Sequence, residues 1–316
     1  MSSLDARGQR AASTSADAGS DRLATRVAAV VTVLPAAGAS LALAQLLFGE
    51  VTRFELVLLA VMYSLTLVGV EVGFHRMIAH RGFAARRGVR LALGMLGSMT
   101  AEGPLLWWVV MHRRHHERSD RAGDPHSPHV LEQRALRGLR GFVHAHLGWM
   151  WSPPRNIDGA RYTRDLLRDP DVRFLHQTYF VWVLCGLAVP TLLAGLWFES
   201  WAGAARGLVW GGLLRMFLVH NAMWCVASVC HLYGSRPYAD TRDQSRNNIW
   251  ICLPTFGESW HNNHHAFPWS ARHGLNWWEI DLNWYVIRGL ARLGLVHDVR
   301  VPTAAMKLAK QRGAPL

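Results

Sequence analysis

Lysine is almost absent from this chain. Of its 34 basic residues among 316, only Lys307 and Lys310 are lysine, and the other 32 are arginine. So strong a bias fits GC-rich coding, which accounts for part of the formal net charge of +12. The remainder suits a face turned toward anionic lipid or an acidic substrate carrier. Nucleic acid is a poor fit, because the arginines flank apolar runs and match no base-reading motif. Cysteine is also scarce: Cys185, Cys225, Cys230 and Cys252, with no C-x-x-C pair and three of the four in apolar segments. That excludes a disulfide framework, a zinc ribbon and a cysteine-held iron–sulfur cluster. No G-x-G-x-x-G and no C-x-x-C-H occurs, so the chain carries no dinucleotide fingerprint and no haem attachment of its own. Internal repeats are lacking too.

What the chain has instead is long apolar runs. Half of its residues are hydrophobic and 15 are Trp. A spanning helix needs about 20 apolar residues, and four stretches qualify: 27–48, 54–74, 174–197 (with a kink expected at Pro190) and 207–231. Short links join the first to the second and the third to the fourth, which predicts two helical hairpins. The first run has no cleavage site after it and is expected to be retained. A fifth apolar stretch, 89–111, is interrupted by Glu102, Gly103 and Pro104; it is expected to lie at the interface or dip in. Residues 1–22 are polar and are expected to be disordered, and 301–316 form a basic tail. Basic residues number 4 before the first run, 17 in 75–173 and 10 in 232–316, against Arg53 and Arg206 at the opposite ends. By the positive-inside rule, both termini and the large polar regions are expected in the cytoplasm.

The chain has 17 histidines. Eight fall into three clusters: "HRMIAH" with His75 and His80, "HRRHH" with His112, His115 and His116, and "HNNHH" with His261, His264 and His265. All three are expected on one side of the membrane. Residues three and four apart share a helix face, so each three-histidine box can point its imidazoles together. His75 and His80 are five apart and diverge on a straight α-helix, so the last turn of the second span is expected to open. One ion takes about six ligands at most, so eight convergent imidazoles predict two metals. Imidazole suits zinc, iron, copper and nickel. Zinc is the chemical rival, but it has no redox chemistry. Two metals over a membrane helix pair suit oxygen activation against a lipid chain, which needs an iron-type centre.

These residues resemble the membrane fatty-acyl desaturases, of the acyl-CoA Δ9 type. The resemblance covers roughly 50–300 and rests on "VGFHRMIAH", "EGPLLWWVVMHRRHH", "GDPHSPH", "HAHLGW", "HLYGSRPY" and "GESWHNNHHAFPWSARHGL". It implies an all-α integral membrane protein whose domain spans 23–300. Four spanning helices would stand under a cytosolic helical cap holding a di-iron centre. It also implies a ninth ligand, His231, which by itself is a lone histidine at a helix end. Many family members have an Asn four residues before that histidine; here the position is Ala227. Glu71, one turn before His75, stands where a small or hydroxyl residue is expected. It either supplies a carboxylate to the metals or pairs with an Arg or an imidazole N–H. Asp124 and Glu258 are candidates for orienting ligand imidazoles.

The family's acyl tunnel would be lined by Trp107, Trp108 and Trp224, which otherwise read as interfacial aromatics. Leu59 and Tyr63 could close its far end. Arg113, Arg114 and Arg118 either hold the phosphates of CoA or another acyl carrier or form a solvated basic face. The expected reaction is O2-dependent insertion of a cis double bond, Δ9 in position, into a saturated chain carried as an acyl-CoA, another thioester or a lipid. Two iron ions would serve it. Electrons would come from a ferredoxin with its reductase or a cytochrome b5-like donor. The bacterial cytoplasmic membrane is the expected location. A hydroxylase of the same superfamily and a catalytically silent metal-binding protein are the alternatives.

Overall fold

The computed structural model describes residues 3–152, 157–239 and 241–312, with side chains from Ala24 onward. The chain is mostly helical. Four helices are long and apolar enough to cross a membrane: Ala24–Leu47, Arg53–Ala79, Tyr179–Trp197 and Trp201–Leu232. The first is the apolar part of α1 (Ser3–Leu47). That helix runs back through the polar arm expected to lack order, a stretch rich in Ala with no proline before Pro35.

The second span is α2 (Arg53–Val68), which continues as a π-helix over Gly69–Ala79. Thr52 caps it: the Thr52 side chain accepts from Phe54 N, while Glu55 accepts from Thr52 N at 3.0 Å. The fifth apolar stretch forms α3 (Arg87–Ser98) and α4 (Leu105–Arg118), broken between them where Glu102, Gly103 and Pro104 fall. With 12 residues, α3 is roughly 18 Å long, too short to cross a core of about 30 Å. Beyond it come α5 (Gly138–His146), α6 (Gly159–Thr163) and α7 (Pro170–Gln177). The third span, α8 (Tyr179–Trp197), begins five residues later than expected, because Thr178 ends α7 as a separate element. The fourth runs through α9 (Trp201–Gly207), a π-helical segment Leu208–Leu214, and α10 (Arg215–Leu232). Short helices α11 (His261–Ala266), α12 (Leu282–Arg292) and α13 (Ala304–Gln311) follow. Two small antiparallel pairings tie the polar part: Ala84–Ala85 with Val296–His297, and Val130–Leu131 with Arg134–Ala135.

The fourth span is the one the others pack on. A Cβ at Gly38 of the first span would sit 2.2 Å from Leu213. One at Gly207 would sit 2.3 Å from the Pro190 carbonyl of the third span, and one at Gly211 would press on Leu58 of the second. Small residues allow this approach where lipid gives no hydrophobic drive for helix association. Arg215 is fully buried there. Its guanidinium donates to Met99 O at 2.6 Å, Gly186 O at 2.7 Å and Gly211 O at 3.2 Å, joining α3's end to the third and fourth spans. At the opposite end, Arg206 pairs with buried Glu55 at 2.7 Å. The main core gathers Leu67, Val70, Phe74, Leu93, Leu105, Val109, Leu175 and Val219 between the spans and α3, α4 and α7.

Candidate metal centre

The π-helical end of the second span solves the spacing of "HRMIAH". A π-turn closes on residue i+5, and His80 N donates to His75 O at 3.1 Å. His75 and His80 therefore come face to edge, with ring centroids 4.9 Å apart. His75 Nε2 lies 3.1 Å from His264 Nε2, His264 Nε2 lies 2.9 Å from His116 Nε2, and His116 Nε2 lies 3.1 Å from His112 Nε2. His80 Nε2 lies 2.6 Å from His112 Nε2. Five imidazoles thus aim Nε2 at one point. His115, His231, His261 and His265 form a second group, with His261 Nε2 3.0 Å from His231 Nε2. In each group the ligand atoms all lie within 4.8 Å of one another.

The boxes are shared between the groups. On α4, His112 and His116 serve the first group and His115 the second; on α11, His264 serves the first and His261 with His265 the second. The histidines of each three-histidine box are one helical face in the sequence, yet they divide, because an i, i+4 pair and its neighbour flank two different centres.

The arrangement fits metal ions. Bonds of about 2.0–2.1 Å to nitrogen put adjacent ligands of an octahedral ion about 2.9 Å apart, which is the spacing of these Nε2 atoms. Each of these nitrogens faces several others within 4.8 Å, more than one ring N–H can satisfy, which is the pattern of ligands around a cation. The Nε2 atoms of His115 and His265 are buried with no hydrogen-bond partner among the described residues. Burial, reinforced by the crowd of imidazoles, holds His80, His112, His116, His261 and His264 well below the usual histidine value. They stay neutral, the form that binds metal.

Carboxylates stand behind the second group. His115 Nδ1 lies 3.0 Å from Asp124, His231 Nδ1 lies 2.8 Å from Asp120, and His265 Nδ1 lies 2.6 Å from Asp243. An imidazole that donates Nδ1–H to a carboxylate is fixed with its lone pair on Nε2. Burial raises these carboxyls, but the neighbouring imidazoles and hydrogen bonds win and hold Asp120, Asp124 and Asp243 below the ordinary aspartate range. The sequence singled out Asp124 but missed Asp120 and Asp243. Both sit in polar loops, where an acid has no periodicity to mark it.

In the first group only His75 has such backing. Its Nδ1 lies 3.2 Å from Glu71 and 3.1 Å from Glu258. Glu258 also takes Arg76, at 2.5 Å, and lies 2.9 Å from His273 Nδ1. Burial opposes its charge, yet Arg76 keeps Glu258 well below the usual carboxylate value. Glu71 therefore sits on the Nδ1 side of His75, away from the convergent Nε2 atoms.

Beside the groups is a cavity of about 90 Å³ lined by Glu71, Glu102, Trp107, Trp108, Trp224 and Ala227, among others. The three tryptophans expected along an acyl path are thus on its wall. Leu59 and Tyr63 are not. Leu59 packs on Ala42, Val209 and Trp210, and the Tyr63 hydroxyl donates to the Pro254 carbonyl. Arg113 is held within the protein by Ala79 O, Tyr162 O and Asp165, and Arg114 by Gly123 O and Tyr162. Only Arg118 of the three is exposed.

Four membrane-length helices carrying two imidazole groups that can each hold a metal define a class: a membrane protein with a paired histidine metal centre. The chain belongs to the fatty acid desaturase family, whose model matches residues 52–300. It is 46% identical over 281 residues to a hex-5-enoyl-[acyl-carrier protein] acetylenase of Moorena producens, covering 88% of this chain and 87% of that one. It is 37% identical to an sn-1 stearoyl-lipid 9-desaturase of Anabaena variabilis, over 74% of this chain and 79% of that one. It is 38% identical to an acyl-CoA C20 Delta5-desaturase of Anemone leveillei, over 76% and 71%. The protein is a desaturase-family oxidoreductase.

Proposed function

We propose that this protein is an O2-dependent acyl desaturase that inserts a cis double bond into a saturated fatty acyl chain, with two iron ions held by His75, His80, His112, His116 and His264 and by His115, His231, His261 and His265. The observation that carries this is the convergence of nine Nε2 atoms into two groups beside an aromatic-walled cavity. A pair of iron ions supplies the redox chemistry by which O2 removes two hydrogens from adjacent carbons. The protein's own work is positioning. Asp120, Asp124 and Asp243 fix three imidazoles, Glu71 and Glu258 fix His75, and the tryptophans exclude water and hold the chain. Two electrons and two protons complete the balance for O2 to leave as two waters. The chain has no electron carrier of its own, so a ferredoxin with its reductase or a cytochrome b5-like protein is the proposed donor.

The proposed position is Δ9 and the proposed carrier an acyl-CoA. Relatives named for acyl-carrier protein, lipid and CoA substrates make both points for experiment. The four spans are proposed to form two hairpins in a bacterial cytoplasmic membrane, with the metal centre and both termini in the cytoplasm. The support is the basic charge of 75–173 and 232–316. The test is expression in a bacterial host, with double-bond location in total fatty acids by mass spectrometry and metal analysis of the purified protein. A new cis-monoene with two irons per chain is expected, absent with His112→Ala and His264→Ala. A hydroxylated chain, or zinc with no oxygen consumption, would defeat the reading.

A further inference from the structure

The cavity wall carries hydrogen-bonding groups that a plain hydrocarbon chain cannot satisfy. Glu102 lines it, with a side chain only 10% exposed. Its Oε1 is buried and has no hydrogen-bond partner among the described residues. The nearest cationic candidate, His220 Nε2, is 3.8 Å away and is already engaged with Thr100 O at 2.6 Å. Trp149 lines the same cavity, stacked on Trp107 with centroids 6.3 Å apart, and its indole Nε1 is likewise buried without a partner among the described residues. Two groups from separate segments therefore face one small space unmet. A buried polar group left so is costly.

Glu102 is held there deliberately by the fold. It sits between α3 and α4, in a loop where Ala101 has φ +61° and Gly103 has φ +112°. A left-handed alanine persists only where its surroundings hold it. Arg215 grips Met99 O, His220 engages Thr100 O, and Gly103 N donates to the Tyr179 hydroxyl at 3.1 Å. Three residues of the third and fourth spans thus aim this carboxyl at the cavity. Burial pushes Glu102 up to about 8. That shift favours the protonated acid, whose O–H can donate, a device known from other enzymes that need a neutral acid in an apolar site.

We propose that Glu102 and Trp149 are specificity-determining hydrogen-bond donors, and that the preferred substrate is an acyl chain already bearing an acceptor, a C=C π bond or an oxygen, in the segment beside the metal centre. This rests on the acyl-desaturase reading: it keeps that metal centre and reaction, and replaces the saturated chain proposed there by one that already carries an acceptor. Discrimination arises because a saturated chain would leave both donors dry, whereas an acceptor meets them.

The experiment is binding, so it needs no electron donor. Purified full-length, metal-loaded protein in lipid nanodiscs is titrated with acyl-CoA probes of one chain length: saturated, alkene-bearing and ether-oxygen-bearing. The wild type is expected to bind an acceptor-bearing probe about fivefold or more tighter than the saturated one. Glu102→Leu removes that preference, Glu102→Gln, which keeps a donor, retains most of it, and Trp149→Phe halves it or more. The two acceptor arms tell π bond from oxygen. Equal affinity for saturated and acceptor-bearing probes in the wild type, or a preference that survives Glu102→Leu, overturns the inference. Neither result touches desaturation itself, which is judged by the fatty-acid product in cells.

Discussion

The two imidazole groups differ in what stands behind them. In the second, three of four histidines have an aspartate on Nδ1: Asp124, Asp120 and Asp243. In the first, the one carboxylate-backed histidine is His75, and among the described residues no carboxylate lies within ion-pair distance of His80, His112, His116 or His264. The second group is held by charge, from loops. The first is held by packing, from helix faces and a π-turn. Carboxylate backing makes an imidazole a stronger donor, so the second site should bind its metal tightly, while the first, with five neutral ligands, should leave its metal more electron-poor. The comparison teaches that equal ligand types do not make equal sites.

The largest effects should come from removing ligands. His264→Ala and His261→Ala break one group each. Both should abolish product, and each should lower metal per chain from about two toward one, measured by elemental analysis. A variant that kept both metals would break the assignment of that histidine to its group.

Removing the backing sharpens the contrast. Asp243→Asn and Asp120→Asn should weaken metal binding at the second site about 10–100-fold, read by chelator competition, with the first site unchanged. Equal loss at both sites would show the two to be one coupled unit.

The same aspartates give a pH signature. Their carboxyls are depressed in the folded protein. The unfolded chain therefore binds more protons as pH falls through the usual aspartate range, so stability rises with pH there and is lost on acidification. Thermal melts of metal-free protein should show this loss below about pH 4, and Asp120→Asn with Asp243→Asn should flatten it. An unaltered slope in the double variant would place the acid-sensitive groups elsewhere.

The smallest effect is expected at Glu71. Glu258 lies at 3.1 Å from the same His75 Nδ1, so Glu71→Gln should keep both metals and cost less than tenfold in product, toward the low end for such partners. Loss of a metal would instead make Glu71 a ligand.

Much of the centre was legible in sequence. All eight box histidines lie in the two groups, joined by His231, which only the family resemblance had marked, and the four apolar runs fall in the four membrane-length helices. The division of the two three-histidine boxes was not legible, nor were Asp120, Asp243 and the unmet Glu102. Glu102 reads in sequence only as a helix interruption; what places it on the cavity wall is a strained loop gripped by Arg215 and His220, more than 100 positions away. Arg113 and Arg114, read in sequence either as holding carrier phosphates or as a solvated face, also make contacts that no local pattern marks, to Ala79 O, Tyr162 and Asp165 and to Gly123 O and Tyr162.

The sequence by itself determined the spans and the two three-histidine boxes, because apolar length and i, i+3, i+4 spacing are local properties that survive whatever else the chain does. Tertiary structure decided which imidazole serves which ion, which carboxylates stand behind them and which donors face the cavity. Those are matters of angstroms between segments far apart in the chain, set by π-turns, close glycine contacts and buried guanidinium clamps, and no local pattern encodes them.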